Sequence, residues 1–137
     1  MGKLLERLQD ASRSGVYRAA RADEIVDAVR GSKLSLKKVE YADKQSLLKN
    51  IAAALEFPGW FGANWDALED CLSDLSWDPA AGHVLIFENA QDGDELGVLI
   101  DVLRSSAEFW VGRGKPFFAV FVDPARALPL PELFRQA

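Results

Sequence analysis

The sequence contains very little cysteine and histidine, with a single residue of each among 137. Cys71 has no second cysteine with which to form an internal disulfide, a pattern expected in a reducing compartment, most simply the cytoplasm. Long apolar runs are also missing, because no stretch approaches the roughly 18 apolar residues of a membrane-spanning helix. The first six residues place charges where a signal peptide needs an apolar run. We therefore expect neither a secretion signal nor a membrane anchor.

Basic residues are missing from the middle of the chain. Residues 50–103 carry eleven Asp and Glu and no Lys or Arg, whereas residues 1–49 carry a net charge of +4 and residues 104–137 of +2. A nucleic-acid-binding protein needs the opposite, since phosphates are neutralised by Lys and Arg. The acidic block instead favours a basic protein partner or a metal ion, or it only keeps a surface soluble.

The remaining patterns predict an α/β fold. Apolar residues at helical spacing predict a helix after Asp43, a second helix over 65–75 and a long helix that includes Leu96 and Trp110. Strands are predicted over 34–41, 83–88 and 117–122, the last two as continuous apolar runs typical of strands covered by helices. The resulting order, β-α-α-β-α-β, predicts a small, mainly parallel sheet flanked by helices.

An additional β-α unit is possible at the start of the chain. Val16 to Arg18 would form its strand, and a helix capped by Asp23 and stopped by Gly31 would follow. The last residues, from Pro124, contain three prolines and are expected to run over the surface. We expect one domain, with an N-terminal extension over 1–33, a core over 34–122 and a Pro-rich tail over 123–137.

The helix predicted over 65–75 has two chemically different sides. With 100° per residue, one arc is apolar and the opposite arc is polar. The apolar arc contains Trp65, Leu68, Cys71, Leu72 and Leu75. The polar arc contains Asp66, Glu69, Asp70, Ser73 and Asp74. One side is thus expected to pack on the sheet while the other presents four carboxylates.

Asp66, Asp70 and Asp74 are spaced i, i+4 and i+8, so we expect them to form a single ridge. Like charges at this spacing destabilise a helix by roughly 0.2–0.5 kcal/mol per pair, and no Lys or Arg is interleaved. Because this arrangement is unfavourable for folding alone, we prefer a binding function for the ridge over a merely solvated surface.

The loop before this helix supplies further candidates for contact. Trp60 and Phe61 are adjacent aromatics that suit either core anchors or an interface, and we expect one ring in each role. Gly62 is expected to serve a backbone conformation, and Asn64 is expected to cap the helix. The other residues of possible chemistry, Cys71 and His83, are interpreted as an inert buried thiol and a structural histidine.

Residues 57–72 read FPGWFGANWDALEDCL, which resembles the central segment of the barstar family of intracellular ribonuclease inhibitors. The family pattern is Pro, two aromatics, Gly, any residue, Asn, an apolar residue, Asp-Ala-Leu, any residue and Asp. A looser likeness extends from about Leu34 to Val122. The resemblance implies a parallel sheet of three strands flanked by helices. It also implies no catalysis, no metal and no cofactor.

The resemblance further implies a 1:1 complex in which an acidic helix and its preceding loop block the cationic active site of a ribonuclease. By position, Asp70 would replace the substrate phosphate, and Asp66 would make a second charged contact. Trp60 and Phe61 match the paired aromatics that flank the cleft, and Ser73 matches a small hydroxyl contact. The free protein would be a monomer that binds neither nucleic acid nor membrane.

Three features differ from barstar itself. Glu69 stands where barstar has a Trp, Asp74 stands where it has a small residue, and the region around Ser105 lacks its additional Glu contact. The resemblance therefore implies a partner surface different from that of barnase. Two alternatives stay open: a barstar-like module whose basic partner is not a nuclease, and a metal-dependent hydrolase that uses Asp66, Glu69 and Asp70 as ligands.

Overall fold

The computed structural model describes residues 3–41, 43–57, 64–91 and 93–133. The strands are β1 (Gly15–Ala19), β2 (Leu34–Glu40), β3 (Gly82–Glu88) and β4 (Phe117–Val122). The helices are α1 (Lys3–Gln9), α2 (Asp23–Val29), α3 (Lys44–Ala54), α4 (Trp65–Leu72) and α5 (Asp94–Val111), with a short 3₁₀ turn over Ala11–Arg13.

The strands form one parallel sheet in the order β1-β4-β3-β2. The predicted α/β class with a parallel sheet flanked by helices is confirmed, but the sheet has four strands instead of three. The fourth strand is β1, which pairs with β4 from Gly15 opposite Phe118 to Ala19 opposite Val122. The additional N-terminal β-α unit is therefore part of the fold.

Helices cover both faces of the sheet. On one face, α3, α4 and α5 bury a large apolar cluster against β2, β3 and β4, with Leu85, Phe87 and Phe121 at its centre. On the other face, α1 and α2 bury a second cluster. The strand residues of this second cluster with no exposure at all are Val84, Ile86, Phe118 and Val120. Since β3 and β4 are apolar on both faces, each face requires its own cover.

The Pro-rich tail follows the outer edge of β1. The Arg18 N–H donates to the Pro131 carbonyl at 2.8 Å, and the Leu133 N–H donates to the Arg18 carbonyl at 2.9 Å. The Arg18 guanidinium also donates through Nε to the Leu130 carbonyl at 2.8 Å. This segment thereby satisfies backbone groups that an edge strand would otherwise expose.

The helix starts differ in their agreement with the sequence. Asp43 caps α3 as predicted, because its carboxylate accepts from the Ser46 N–H at 3.0 Å. The prediction that Asp23 caps α2 is wrong: Asp23 is the first helical residue, and Ala22 precedes it without a side-chain cap. The backbone at Ala22 is already helical (φ −83°, ψ −24°), so the helical path begins before Asp23. Gly31, with φ +81°, follows the end of α2 as expected for a stop.

Candidate functional site

Helix α4 begins at a side-chain cap. The Asn64 side-chain oxygen accepts from the Ala67 N–H at 2.7 Å, while its own backbone is extended (φ −136°, ψ 171°). An N-cap of this kind satisfies one of the free N–H groups of the first turn and contributes about 1 kcal/mol. The structural role predicted for Asn64 is therefore confirmed, and it fixes where the acidic helix starts.

Most of the apolar side of α4 is buried. Leu68, Cys71 and Leu72 have no exposed surface, and Leu68 and Leu72 pack in the cluster beneath α3, α4 and α5, with Trp65 partly buried against it. Burial raises the pKa of the Cys71 thiol, and the nearby negative charges of Asp70 and Asp74 raise it further. Since the thiolate is the reactive form, this environment suits the inert thiol predicted from the sequence.

Four carboxylates, of Asp66, Glu69, Asp70 and Asp74, lie on the exposed side of α4 and of the turn after it, and are called the acidic face below. None of them makes an ion pair or hydrogen bond with the described residues. Asp66 in the first turn is favoured by the positive end of the helix dipole, whereas Asp70 in the last turn faces the negative end. The negative charge of this surface is therefore not compensated within the described chain.

The predicted end of this helix at Leu75 is wrong, because α4 ends at Leu72. Ser73 is the C-cap and is half-buried, and Asp74 lies in the following turn, where its N–H donates to the Cys71 carbonyl at 3.1 Å. Leu75 adopts a left-handed conformation (φ +47°) that turns the chain away from the helix axis. Asp74 is exposed four residues after Asp70, but because it lies outside the helix it does not continue the predicted ridge of Asp66 and Asp70.

The last carbonyl of α4 is bonded to the neighbouring helix. The indole N–H of Trp110, on α5, donates to the Leu72 carbonyl at 2.7 Å, in a buried contact. This carbonyl would otherwise accept from the residue four positions later if the helix continued. A second indole, of Trp77, donates to the Leu55 carbonyl at 3.0 Å. From the sequence, Trp110 was interpreted only as part of an apolar stripe and Trp77 was not singled out.

His83, the single histidine, is buried at the start of β3 with about 1% of its surface exposed. Burial lowers the pKa of its imidazole, Lys115 lowers it further, and the carboxylate of Asp78 opposes this effect. Neither ring nitrogen has a hydrogen-bond partner among the described residues, and Nδ1 lies 3.8 Å from Asp78 Oδ2. The ring packs against Trp110 and Phe117, which agrees with a structural histidine that is neutral at pH 7.

Three of the predicted contact residues, Trp60, Phe61 and Gly62, lie outside the described residues, and their roles stay predictions. Within the described ranges, no group of three or more His, Cys, Asp or Glu side chains is arranged to hold a metal ion. No observation there supports the alternative of a metal-dependent hydrolase. Among the helices of the described chain, none combines the length and hydrophobicity needed to cross a bilayer.

Of the nine predicted contact residues, Asp66, Glu69, Asp70 and Asp74 are exposed on α4 and the turn after it, and Ser73 is half-buried at the end of the same helix. Asn64 caps the same helix. A comparison with curated proteins gives no significant match. The family model described as "Barstar (barnase inhibitor)" matches residues 32–122, which is more than half of the chain and includes the acidic face, α5 and strands β2 to β4. The chain therefore belongs to the barstar family, whose members are barnase-inhibitor-like proteins.

Proposed function

We propose that this protein inhibits a ribonuclease by inserting its acidic face into the cationic active site of the enzyme. The observation that carries the proposal is the acidic face itself, with four exposed carboxylates that make no ion pair with the described residues, opposite an apolar side on which Leu68, Cys71 and Leu72 are buried. Membership of the barstar family supports the same class of partner. The protein acts by binding and not by catalysis.

A ribonuclease active site suits such a surface because it is built to hold the phosphates of RNA with cationic side chains. A carboxylate in this site makes charge-assisted hydrogen bonds, and an Arg can bind it with two parallel N–H donors. Opposite charges on the two surfaces also accelerate association, and added salt weakens this effect. The repulsion within the acidic face of the free protein is relieved when the cations of the partner approach.

We assign Asp70 the central role of phosphate mimic and Asp66 that of a second charged contact. Ser73 would add a hydroxyl contact, and the aromatic pair Trp60 and Phe61, with Gly62, would flank the cleft of the enzyme. Glu69 and Asp74 carry charges at positions where barstar itself has a Trp and a small residue. They would therefore select a ribonuclease whose active site has more cationic side chains than that of barnase.

We further propose a 1:1 complex formed by a monomer in the cytoplasm, where a reduced Cys71 is stable. Cys71 is a free, buried thiol that needs no oxidising compartment. A monomer is sufficient because the acidic face lies on one helix and one turn of a single chain.

The test is a titration of the protein into a panel of ribonucleases, chosen to include active sites that are more cationic than that of barnase, with cleavage of a fluorogenic RNA as the readout. The wild-type protein is expected to abolish cleavage at one equivalent, with an association rate that falls as salt increases. Asp70→Ala is expected to weaken inhibition at least about 30-fold. This corresponds to a loss of about 2 kcal/mol or more for truncating one partner of a buried, hydrogen-bonded charge pair.

The matched control is Asp27→Asn on α2, which removes one negative charge from the helix layer on the opposite face of the sheet. This variant should inhibit as the wild type does. Equal inhibition by Asp70→Ala and the wild type would refute the assigned role of Asp70. Failure of the wild type to inhibit any such ribonuclease, combined with tight capture of a basic protein that is not a nuclease, would instead favour the interaction-module alternative.

A further inference from the structure

Two tryptophans outside the acidic face make hydrogen bonds to the segment that carries it. Trp110 is a buried residue of α5, with 7% of its surface exposed, and its indole N–H reaches the carbonyl of the last residue of α4, Leu72. Its ring is therefore fixed in the core while its one polar atom is fixed on the acidic helix. This bond joins two elements that are 38 residues apart in the sequence.

Trp77 connects the two ends of the stretch of chain that carries the acidic face. Its indole N–H donates to the carbonyl of Leu55, the C-cap of α3, across 22 residues. Its ring also meets the edge of Phe57 with 6.0 Å between the ring centroids. Every residue predicted to contact the partner, from Trp60 to Asp74, falls between Leu55 and Trp77 in the sequence. We call the described residues of this stretch, 56–57 and 64–76, the contact segment.

The contact segment would not keep its conformation by itself. Helix α4 is eight residues long, and isolated helices of this length are unstable in water. The Glu69 and Cys71 carbonyls near its end accept from N–H groups of the following turn, the Leu72 carbonyl accepts from the Trp110 indole, and its exposed side carries like charges. The chain also enters and leaves this region through two left-handed residues, Glu56 (φ +54°) and Leu75 (φ +47°). Packing holds the apolar side of α4, but only directional bonds define where its last turn ends.

We infer that Trp110 and Trp77 are positioning residues of the binding site, which hold the contact segment in its binding geometry before the partner arrives. The inference rests on the proposed function, because it concerns the same acidic face. Trp110 fixes the end of α4 and hence Asp70 and Ser73, while Trp77 keeps the two ends of the contact segment together. Neither indole N–H is available to the partner, since each is already bonded to a carbonyl of this chain.

The test compares Trp110→Phe and Trp77→Phe with a control, Ile86→Val. Each Trp→Phe change keeps an aromatic ring and removes the indole N–H. Ile86 lies in the core beneath α1 and α2, so its truncation lowers global stability without touching the contact segment. All three proteins are examined as full-length chains under conditions in which they are more than 99% folded, as judged by denaturant titration.

The first measurement is amide hydrogen exchange of the free proteins. In Trp110→Phe, the amides of Ser73 and Leu75, which donate to Glu69 and Cys71 carbonyls, are expected to exchange at least about tenfold faster. Any faster exchange at the amides of β3 and β4 should be no larger than the loss of global stability measured by denaturant titration requires, and Ile86→Val should leave the Ser73 and Leu75 amides unchanged. Unchanged exchange at Ser73 and Leu75 in Trp110→Phe would overturn the inference, whatever the partner is.

The second measurement is binding to a ribonuclease that the wild type inhibits. Both Trp→Phe variants are expected to dissociate about tenfold faster than the wild type, with Ile86→Val unchanged. Faster exchange with unchanged dissociation would overturn the positioning role, since the bonds would then be structural only. If the wild type inhibits no ribonuclease, the proposed function fails, and the exchange measurement alone decides whether the indoles hold the segment.

Discussion

Neutralising Asp70 is expected to make the free protein more stable while it weakens the complex. Asp70 and Asp66 are four residues apart on α4, so Asp70→Asn removes a like-charge pair that costs roughly 0.2–0.5 kcal/mol. Asp70 also lies in the last turn, where removal of a negative charge from the negative end of the helix dipole contributes about 0.3–1 kcal/mol. Asn and Asp have similar helix propensities, so no further term of comparable size enters.

The sum is a gain of about 0.5–1.5 kcal/mol at low ionic strength, which for a chain of this size is a rise in Tm of roughly 2–6 °C. Differential scanning calorimetry at 10 mM and 1 M NaCl measures it directly. Because screening at about 1 M salt shortens the Debye length to about 3 Å, most of the gain should disappear there. The control Asp101→Asn lies in the middle of α5, is exposed and has no acidic residue three or four positions away, so it should show no gain at either salt concentration.

Two results would refute this reasoning. A Tm that falls in Asp70→Asn at low salt would mean that Asp70 makes a favourable interaction within the free protein, contrary to its exposure without an ion pair. A rise that persists unchanged in 1 M salt would mean that the gain is not electrostatic. Either result would remove the argument that the acidic face is maintained against folding stability for the sake of a partner.

Two further predictions concern the core. Burial lowers the pKa of His83 in the folded protein below its unfolded value of 6.5. As the pH falls below 6.5, the unfolded chain therefore binds more protons than the folded one. The contribution of His83 to stability is complete above about pH 6.5 and is lost as the pH falls toward the folded pKa. Denaturant titrations between pH 7.5 and 5 should show this decline, and His83→Leu should flatten it; an equal slope in both proteins would contradict a neutral buried imidazole. Deletion of residues 1–31 should abolish cooperative folding although the family match begins at residue 32, because it uncovers Val84, Ile86, Phe118 and Val120, whose burial is worth together about 6–12 kcal/mol. A monomeric truncated chain with a sharp thermal transition would contradict this.

The features that the sequence predicted correctly are local ones. The apolar runs of β3 and β4 and the helical spacing in α3 and α5 depend on neighbouring residues, and so do the caps Asp43 and Asn64. The acidic face is predicted for the same reason. At about 100° per residue, the spacing of apolar and charged positions shows which side chains of the helix are exposed. The carboxylates of Asp66, Glu69 and Asp70 are exposed as that spacing requires.

The features that the sequence did not predict depend on residues far apart in the chain. The Leu72 carbonyl at the end of α4 accepts from the indole of Trp110, and an apolar stripe gives no indication that one of its members donates a hydrogen bond to another helix. The pairing of β1 with β4 joins segments about a hundred residues apart, and a strand of five residues has too short a pattern to reveal its partner. For the same reason the sequence pattern predicts Asp74 within α4, whereas the structure has Asp74 in the turn after this helix.

The charges of the acidic face destabilise helix α4, while the residues around α4 hold it in the helical conformation. Helix α4 is too short and too negatively charged to persist alone, so its helical state depends on the Asn64 cap, the buried side chains beneath it and the two indole bonds. A segment fixed in this way loses little conformational entropy when it binds, so more of the charge–charge attraction is retained as affinity. Substitutions at Trp77 and Trp110 should therefore change binding through residues whose bonds lie within the chain, whereas substitutions at Asp70 change it through the contact itself.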